Sequence, residues 1–344
     1  MVLEVREDIR KALEDAGYRI YHHSGVEICT WTKKALTEGE YCYKNKFYGI
    51  DTHRCMQISQ AVAWCTNRCI YCWRANEDFM PGANMLPKDQ VDPPEVTLEK
   101  LREYRIKLLS GFGGNPKVDP EKYKEALLPN HVTFSLMGEP LLYPYVPESI
   151  KYLREHWPWI KSIFVVTNGQ VPEEVQRMKD MGVWPTQFYV SFTAPNEEIY
   201  RKVSHPIHKD AWQRFLRTLD ILSDAPVRKV ARITLIKGYN DCCYDEWVEL
   251  INRYNPHFVE VKAYMYIGRS RQRLKEENMP THEYIKEWAR GLEERLDGFE
   301  YMDEHEASRI VVLKNKREGM DIDPVIRGPI PNLEPRRTSD AAGA

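Results

Sequence analysis

Cys65-Thr66-Asn67-Arg68-Cys69-Ile70-Tyr71-Cys72 places three thiols within eight residues. Three thiolates this close can wrap one face of a four-iron cluster only if the chain loops around it, and three ligands leave the fourth iron open. A structural zinc site is the competing reading. It wants a fourth Cys or His at similarly short spacing, and none follows at short range. The stretch comes directly after an apolar run at 57–63, so the loop is expected to leave the end of a strand.

Outward from that loop, short apolar or β-branched runs recur at 131–136, 162–167, 187–192, 230–236 and 258–264. Amphipathic stretches at 147–156, 172–181, 209–222 and 244–254 lie between them, so the order reads as repeated βα units and a parallel sheet. Six such units suit an open, partial (β/α)6 barrel, although a doubly wound sheet alternates similarly. The expected fold is therefore α/β, a partial barrel with an N-terminal cysteine-rich extension and C-terminal α/β additions. The expected divisions are 1–56 for an N-terminal helix (2–18) and cysteine segment, 57–268 for the barrel, 269–322 for an extension with a helix at 281–296 and a strand at 309–313, and 323–344 for an irregular, Pro- and Arg-rich tail. Between 81 and 94 the breakers Pro81-Gly82, Pro87 and Pro93-Pro94 mark a loop.

Of the 344 residues, 42% are hydrophobic and 29% charged, enough for a large core and without the composition of a disordered chain. No run of 18 apolar residues exists and the N-terminus alternates acids with bases, so a cytoplasmic protein outside the membrane is expected. A net charge of −2 gives no global attraction for nucleic acid, and any RNA contact needs a local basic patch. Six of the eight cysteines crowd into 29–72, which in a reducing compartment favours metal over disulfides.

The Cys-x3-Cys-x-aromatic-Cys pattern resembles the loop of the radical S-adenosylmethionine (SAM) superfamily. That resemblance implies that SAM chelates the open iron through its amino and carboxylate groups, and that Tyr71 lies near the adenine. Met137-Gly138-Glu139-Pro140 resembles the superfamily's Gly-Gly-Glu segment, with Met137 in place of the first glycine. Gly138, Glu139 and Pro140 would then face the SAM amino group. Thr167 and Asn168 end the third expected strand, Ser191 lies in the fourth and Arg232 in the fifth, all as neighbours of the ribose or carboxylate. Read alone, Asn168-Gly169 is a turn signal, and Ser191 or Arg232 are ordinary strand residues.

A second group, Cys29, Cys42 and Cys55, is spaced Cys-x12-Cys-x12-Cys and precedes the first. Three again leaves one iron open, and such even spacing is unlike the short pairs of zinc fingers. The bland alternative is three buried free cysteines, the reading kept for Cys242-Cys243. With this group, with Gly111-Phe112-Gly113-Gly114 and with Gly268-Arg269-Ser270-Arg271, the chain resembles the archaeal tRNA 4-demethylwyosine synthase family over nearly its whole length. The resemblance implies two 4Fe-4S clusters and SAM. It also implies a reaction: an N-methylguanosine 3′ of the anticodon of tRNA-Phe is joined to two carbons of pyruvate, whose carboxyl carbon is lost, to give 4-demethylwyosine, with pyruvate on the open iron of the second cluster. By family position Lys44 matches a proposed Schiff-base lysine, and Lys46 is read as a surface residue. Family relatives with an N-terminal flavodoxin-like domain have more chain before the cysteines than the 28 residues here, so a separate flavodoxin- or ferredoxin-type electron donor is expected, with a monomeric enzyme.

Arg269, Arg271, Arg273 and Lys275 follow the sixth expected strand, four cations before any acid. They border the expected barrel mouth as candidate tRNA contacts, with Trp31, Tyr41, Tyr43 and Trp73 as candidate stacking partners. Their bland reading is a solvated charged face, since Glu276 and Glu277 come next. Two further functions compete: another two-cluster RNA-modifying enzyme of the methylthiotransferase kind, and a non-catalytic, zinc-stabilised RNA-binding protein.

Overall fold

The computed structural model of the protein describes residues 1–76, 79–80 and 84–328. The Pro81-Gly82 breaker and the end of the tail, 329–344, lie outside the described residues. Among the described residues ten strands form one sheet: β1 (Tyr18–Tyr21), β2 (Ser24–Glu27), β3 (Cys55–Ser59), β4 (His131–Phe134), β5 (Ser162–Thr167), β6 (Gln187–Phe192), β7 (Arg228–Leu235), β8 (Phe258–Ala263), β9 (Phe299–His305) and β10 (Ile310–Asn315). Their spatial order is β1-β2-β3-β4-β5-β6-β7-β8-β10-β9. From β3 to β8 every neighbouring pair is parallel. The β1/β2/β3 and β8/β10/β9 pairings are antiparallel. The N- and C-terminal segments are thus edges of one mixed sheet, and among the described residues no helix is long and apolar enough to cross a membrane.

Parallel neighbours need crossovers, and helices supply them. Pro94–Leu109 and Pro120–Ala126 join β3 to β4, Val146–His156 joins β4 to β5, and Pro172–Met181 joins β5 to β6. Glu197–Ser204 with Ala211–Ser223, and then Tyr244–Tyr254, complete the series. Their starts are written locally. Pro94, Pro120 and Pro172 open helices where no backbone N–H is required, and Asp119 accepts from the amides of Glu121 and Lys122.

Strand residues alternate between two cores, as the period of two demands. Ile163, Val165, Phe188, Val190, Ala231, Ile233, Val259 and Val261 belong to the large core beneath the helices. Their sequence neighbours Phe164, Tyr189, Val230 and Phe258 face the other way, against Tyr43, Phe47 and Tyr48 of the helix Tyr43–Tyr48. The Tyr48 ring touches both Phe164 on β5 (6.5 Å between centroids) and Phe258 on β8 (5.3 Å). Flat strands three places apart would hold those residues ~14 Å from each other.

The expected interior strands are present, with two of them, 162–167 and 187–192, at the same bounds. The first differs: β3 is Cys55–Ser59 rather than 57–63, because Ala61–Trp64 turn away and offer the Trp64 carbonyl to the amide of Glu139 at 2.7 Å. The N-terminal helix is shorter than 2–18, ending at Asp15, since Gly17 (φ 95°) turns the chain and Tyr18 and Ile20 enter the core as strand residues. The β1/β2 hairpin and β9 were not expected. Four-residue strands carry too little periodicity to register, and β9 reads Phe-Glu-Tyr-Met-Asp-Glu-His, with little apolar signal.

Candidate active site

The loop carrying Cys65, Cys69 and Cys72 leaves the carboxyl end of β3 and is held by backbone bonds. The amides of Arg68 and Ile70 donate to the carbonyls of Ser204 (3.0 Å) and Val203 (2.9 Å) at the end of the helix Glu197–Ser204. From the opposite side Arg273 Nε donates to the Ile70 carbonyl at 3.1 Å, and its Nη2 donates to that of Cys72. Asn76 Nδ2 holds the Cys69 carbonyl at 2.9 Å. The three thiols are half-buried. Burial pushes the Cys65 thiol well above its ordinary value, with Cys69 adding to it, and pushes Cys69 up to about 12, with Cys72 adding to it. The thiols therefore share one poorly solvated neighbourhood. Tyr71 packs with Ile236, Tyr264 and Leu274 beside them.

The ends of β4 and β5 meet this loop. Glu139 is buried, and its Oε1 accepts from Thr167 Oγ1 (2.7 Å) and the Leu141 amide (3.1 Å), while Oε2 accepts from the Asn168 amide (2.8 Å). Burial raises its carboxyl to about 7 despite those donors. Asn168 Nδ2 then donates to Thr66 Oγ1 at 2.9 Å and lies 3.7 Å from Cys65 Sγ. Gly138 has φ 76°, and a Cβ there would stand 2.2 Å from the Ala61 carbonyl oxygen and 2.5 Å from that of Trp64. Only glycine lets the two strand ends close. Glu139, Thr167, Asn168 and Cys65 are thus brought together as one hydrogen-bonded chain, with Pro140 opening the turn Pro140–Leu142 behind it.

The second cysteine group is assembled at the other end of β3. Cys29 precedes the helix Thr30–Thr37 and its Sγ accepts from the Thr32 amide at 3.4 Å. Cys42 precedes the helix Tyr43–Tyr48, and Cys55 is the first residue of β3. Thr52 links them: its Oγ1 accepts from the Cys42 amide at 3.2 Å, and its carbonyl accepts from Thr32 Oγ1 at 3.0 Å. The buried Arg105 fixes the third member, donating from Nε to the Cys55 carbonyl at 3.2 Å. Burial pushes Cys42 up to about 11, opposed by the positive charge of Lys44, and Cys55 up to about 12, with Cys29 adding to it. Among the described residues no three His, Cys, Asp or Glu groups converge on one point as ligands of a single ion would.

A chamber adjoins the first loop. A cavity of about 340 Å³ is lined by Tyr71 and Trp73 from the first loop and by Ser191, Arg232, Thr234 and Lys262 from β6, β7 and β8. Lys44 Nζ projects toward the same sheet face, 5.1 Å from the Phe164 ring and 5.3 Å from that of Tyr189. Glu260 Oε1 accepts from Tyr48 (2.8 Å) and Tyr189 (3.2 Å). Arg232 has Tyr43, Glu260, Tyr189 and Cys42 as its charged or polar neighbours, so it faces the second cysteine group. Lys262 was not singled out from the sequence. Burial, then repulsion from Arg232, lowers its ammonium to about 7. The signal was present, since Arg232 on β7 and Glu260 and Lys262 on β8 are charges inside strands of a parallel sheet, whose two faces are normally covered.

The basic run divides. Arg269 and Arg271 are exposed, Arg271 Nε donating to the Tyr266 carbonyl at 3.0 Å, and Lys275 pairs loosely with Glu277 at 3.5 Å. Arg273 is spent on the cysteine loop. Trp73, 44% exposed, adjoins Arg269 on the wall of a second cavity of about 460 Å³. Lys46 forms an ion pair with Asp303 at 2.7 Å and stays at the surface. Cys242 and Cys243 are exposed.

Residues 128–251 match the family model of the radical SAM superfamily, and 253–315 match that for wyosine base formation. The S-adenosyl-L-methionine-dependent tRNA 4-demethylwyosine synthase of Pyrococcus horikoshii is 44% identical over 324 residues, 94% of this chain and 91% of that protein. A solved structure of TYW1 with a lysine-pyruvate adduct bound superposes with a TM-score of 0.82 at 38% identity, covering 93% of this chain and 99% of that one. Another, of archaeal TYW1, gives 0.75 at 34% identity over the same shares. Sequence and fold agree over almost the whole length, and the chain belongs to the tRNA 4-demethylwyosine synthase family of radical SAM enzymes.

Proposed function

We propose that this enzyme is a carbon-carbon lyase that joins an N-methylguanosine 3′ of the anticodon of tRNA-Phe to two carbons of pyruvate, forming 4-demethylwyosine. The observation that carries the reading is the shared chamber, which has Tyr71 of the first cysteine loop on one wall and Arg232 and Lys262, neighbours of Cys42, on another. A radical generated at one end can reach a carbon donor held at the other.

Both cysteine groups fit a cluster by the chemistry of their donors: three soft thiols each, half-buried, with anionic forms disfavoured until a cation shares the charge. Cys65, Cys69 and Cys72 would hold the SAM-binding 4Fe-4S cluster, and Cys29, Cys42 and Cys55 the second. With SAM bound, the first would supply the one-electron chemistry that cleaves a carbon–sulfur bond of SAM. The chain's own part is placement. Tyr71 would lie along the adenine, and the backbone of Gly138, Glu139 and Pro140, locked by Thr167 and Asn168, would present the edge for the SAM amino group, with Ser191 toward the ribose. Lys44, two residues after Cys42, is positioned to attack the pyruvate carbonyl. The adduct in the related structure supports a lysine in that role. The contacts of Tyr48 with both β5 and β8 support a sheet curled into a partial (β/α)6 barrel, with 1–56 supplying the second group and 269–322 packing on it. Arg269 and Arg271 would meet tRNA phosphates, an external flavodoxin or ferredoxin would deliver electrons, and the enzyme would act as a monomer.

The test is incubation of the reconstituted protein with SAM, reductant, methylated tRNA and 13C-labelled pyruvate. Nucleoside mass spectrometry should find two labelled carbons in the new base. An unlabelled product, or none, would overturn the reading.

A further inference from the structure

The inner face of β6, β7 and β8 carries a charge pattern that the cluster ligands and Lys44 do not use. The strand register sets Ser191 beside Arg232, Arg232 beside Glu260, and Thr234 beside Lys262. Four of these residues, Ser191, Arg232, Thr234 and Lys262, line the chamber. Glu260, whose Oε1 accepts from the hydroxyls of Tyr48 and Tyr189, brings one negative charge against two cations and cannot neutralise both. Lys262 Nζ donates to the Ser308 carbonyl, and among the described residues no hydrogen bond engages the guanidinium of Arg232. Arg232 and Lys262 are therefore held near one another in a poorly solvated pocket, where the charged form of Lys262 is disfavoured until an anion joins the pair.

We propose that Arg232 and Lys262 form a cradle for the carboxylate of the α-keto acid, and so select a charged co-substrate and orient its carbonyl toward Lys44. The inference rests on the pyruvate reading above and deepens it. A planar carboxylate matches the guanidinium fork, and a lysine point charge serves its second oxygen. The SAM carboxylate is the competing anion, but the strongest electrostatic neighbours of both cations include Cys42 and none of Cys65, Cys69 or Cys72. Lys262 acts here as a positioning residue, with the covalent chemistry left to Lys44.

The experiment uses reconstituted protein and two probes of nearly equal shape, pyruvate and its neutral amide, pyruvamide. Borohydride trapping followed by peptide mass spectrometry reads occupancy at Lys44 directly, beside turnover. In Lys262→Met, half-maximal trapping should need on the order of 10- to 100-fold more pyruvate, the range of one charge-assisted hydrogen bond. The parent's preference for pyruvate over pyruvamide should collapse, and Lys262→Arg should restore part of it. Should Lys262→Met not load iron, Thr234→Glu, which sets a carboxylate beside Lys262, should produce the same loss of preference. An unchanged preference in a folded, loaded variant overturns the cradle. A parent that takes no carbon from pyruvate overturns instead the reading beneath it.

Discussion

The Cys42 amide donates to Thr52 Oγ1 at 3.2 Å, and the carbonyl of the same residue accepts from Thr32 Oγ1 in the helix that follows Cys29, so one residue ties the segments of two cysteines 13 positions apart. Thr52→Val keeps the shape and removes the acceptor. The buried amide left without a partner should cost about 1–3 kcal/mol. Iron bound per chain should fall from about eight toward about four, with the first group still loaded. Iron analysis and the reductive production of 5′-deoxyadenosine check both halves.

The two groups should fail differently. Cys69→Ala should abolish reductive SAM cleavage. Cys42→Ala should leave some uncoupled 5′-deoxyadenosine while stopping base formation, because the carbon donor loses its site. Full product from Cys42→Ala would end the two-cluster assignment.

Gly138→Ala asks a left-handed residue to carry a Cβ 2.2 Å from a backbone oxygen. The Trp64 carbonyl cannot retreat without releasing the Glu139 amide, nor the Ala61 carbonyl without releasing the Trp64 amide. We expect SAM binding, measured by equilibrium dialysis, to be lost and thermal stability to drop by more than the ~1 kcal/mol of an ordinary Gly-to-Ala conflict.

His257 gives a pH signature of its own. It is buried, and its Nδ1 accepts from the Lys229 amide at 3.0 Å. Burial, then the charge of Lys229, lowers its pKa to about 3. A lowered folded pKa contributes stability that is present above the unfolded value, ~6.5, and is lost as pH falls toward 3. Denaturant melts should show the parent losing about 2 kcal/mol from this residue between pH 7 and pH 5, a loss that His257→Gln should lack. Parallel pH profiles for the two proteins would refute the assignment.

The basic run should separate by residue. Arg269→Ala with Arg271→Ala should weaken tRNA binding and flatten its salt dependence by about two phosphate contacts. Arg273→Ala should instead loosen the loop whose Ile70 and Cys72 carbonyls it holds, reducing iron retention even without tRNA. A double variant with the parent's affinity and salt slope would return Arg269 and Arg271 to a solvated face.

Local pattern was enough for the βα alternation and for the exact bounds of two interior strands, and it picked out the six cysteines by their spacing, because strand period, helix caps and residue spacing are written in consecutive residues. It also singled out Glu139, Thr167 and Asn168 one by one, although not the hydrogen bonds that join them to Cys65. The edge hairpin β1/β2 and β9 escaped because their strand character comes from pairing with neighbours rather than from their own composition. Thr52 gave no signal, since its partners are 10 and 20 residues away. Lys262 and Arg232 lie on different strands 30 positions apart in sequence. Their meeting with Cys42 was decided only by tertiary structure: parallel register aligns the strands, and the helix Tyr43–Tyr48, packed across the sheet face, brings the cysteine to them.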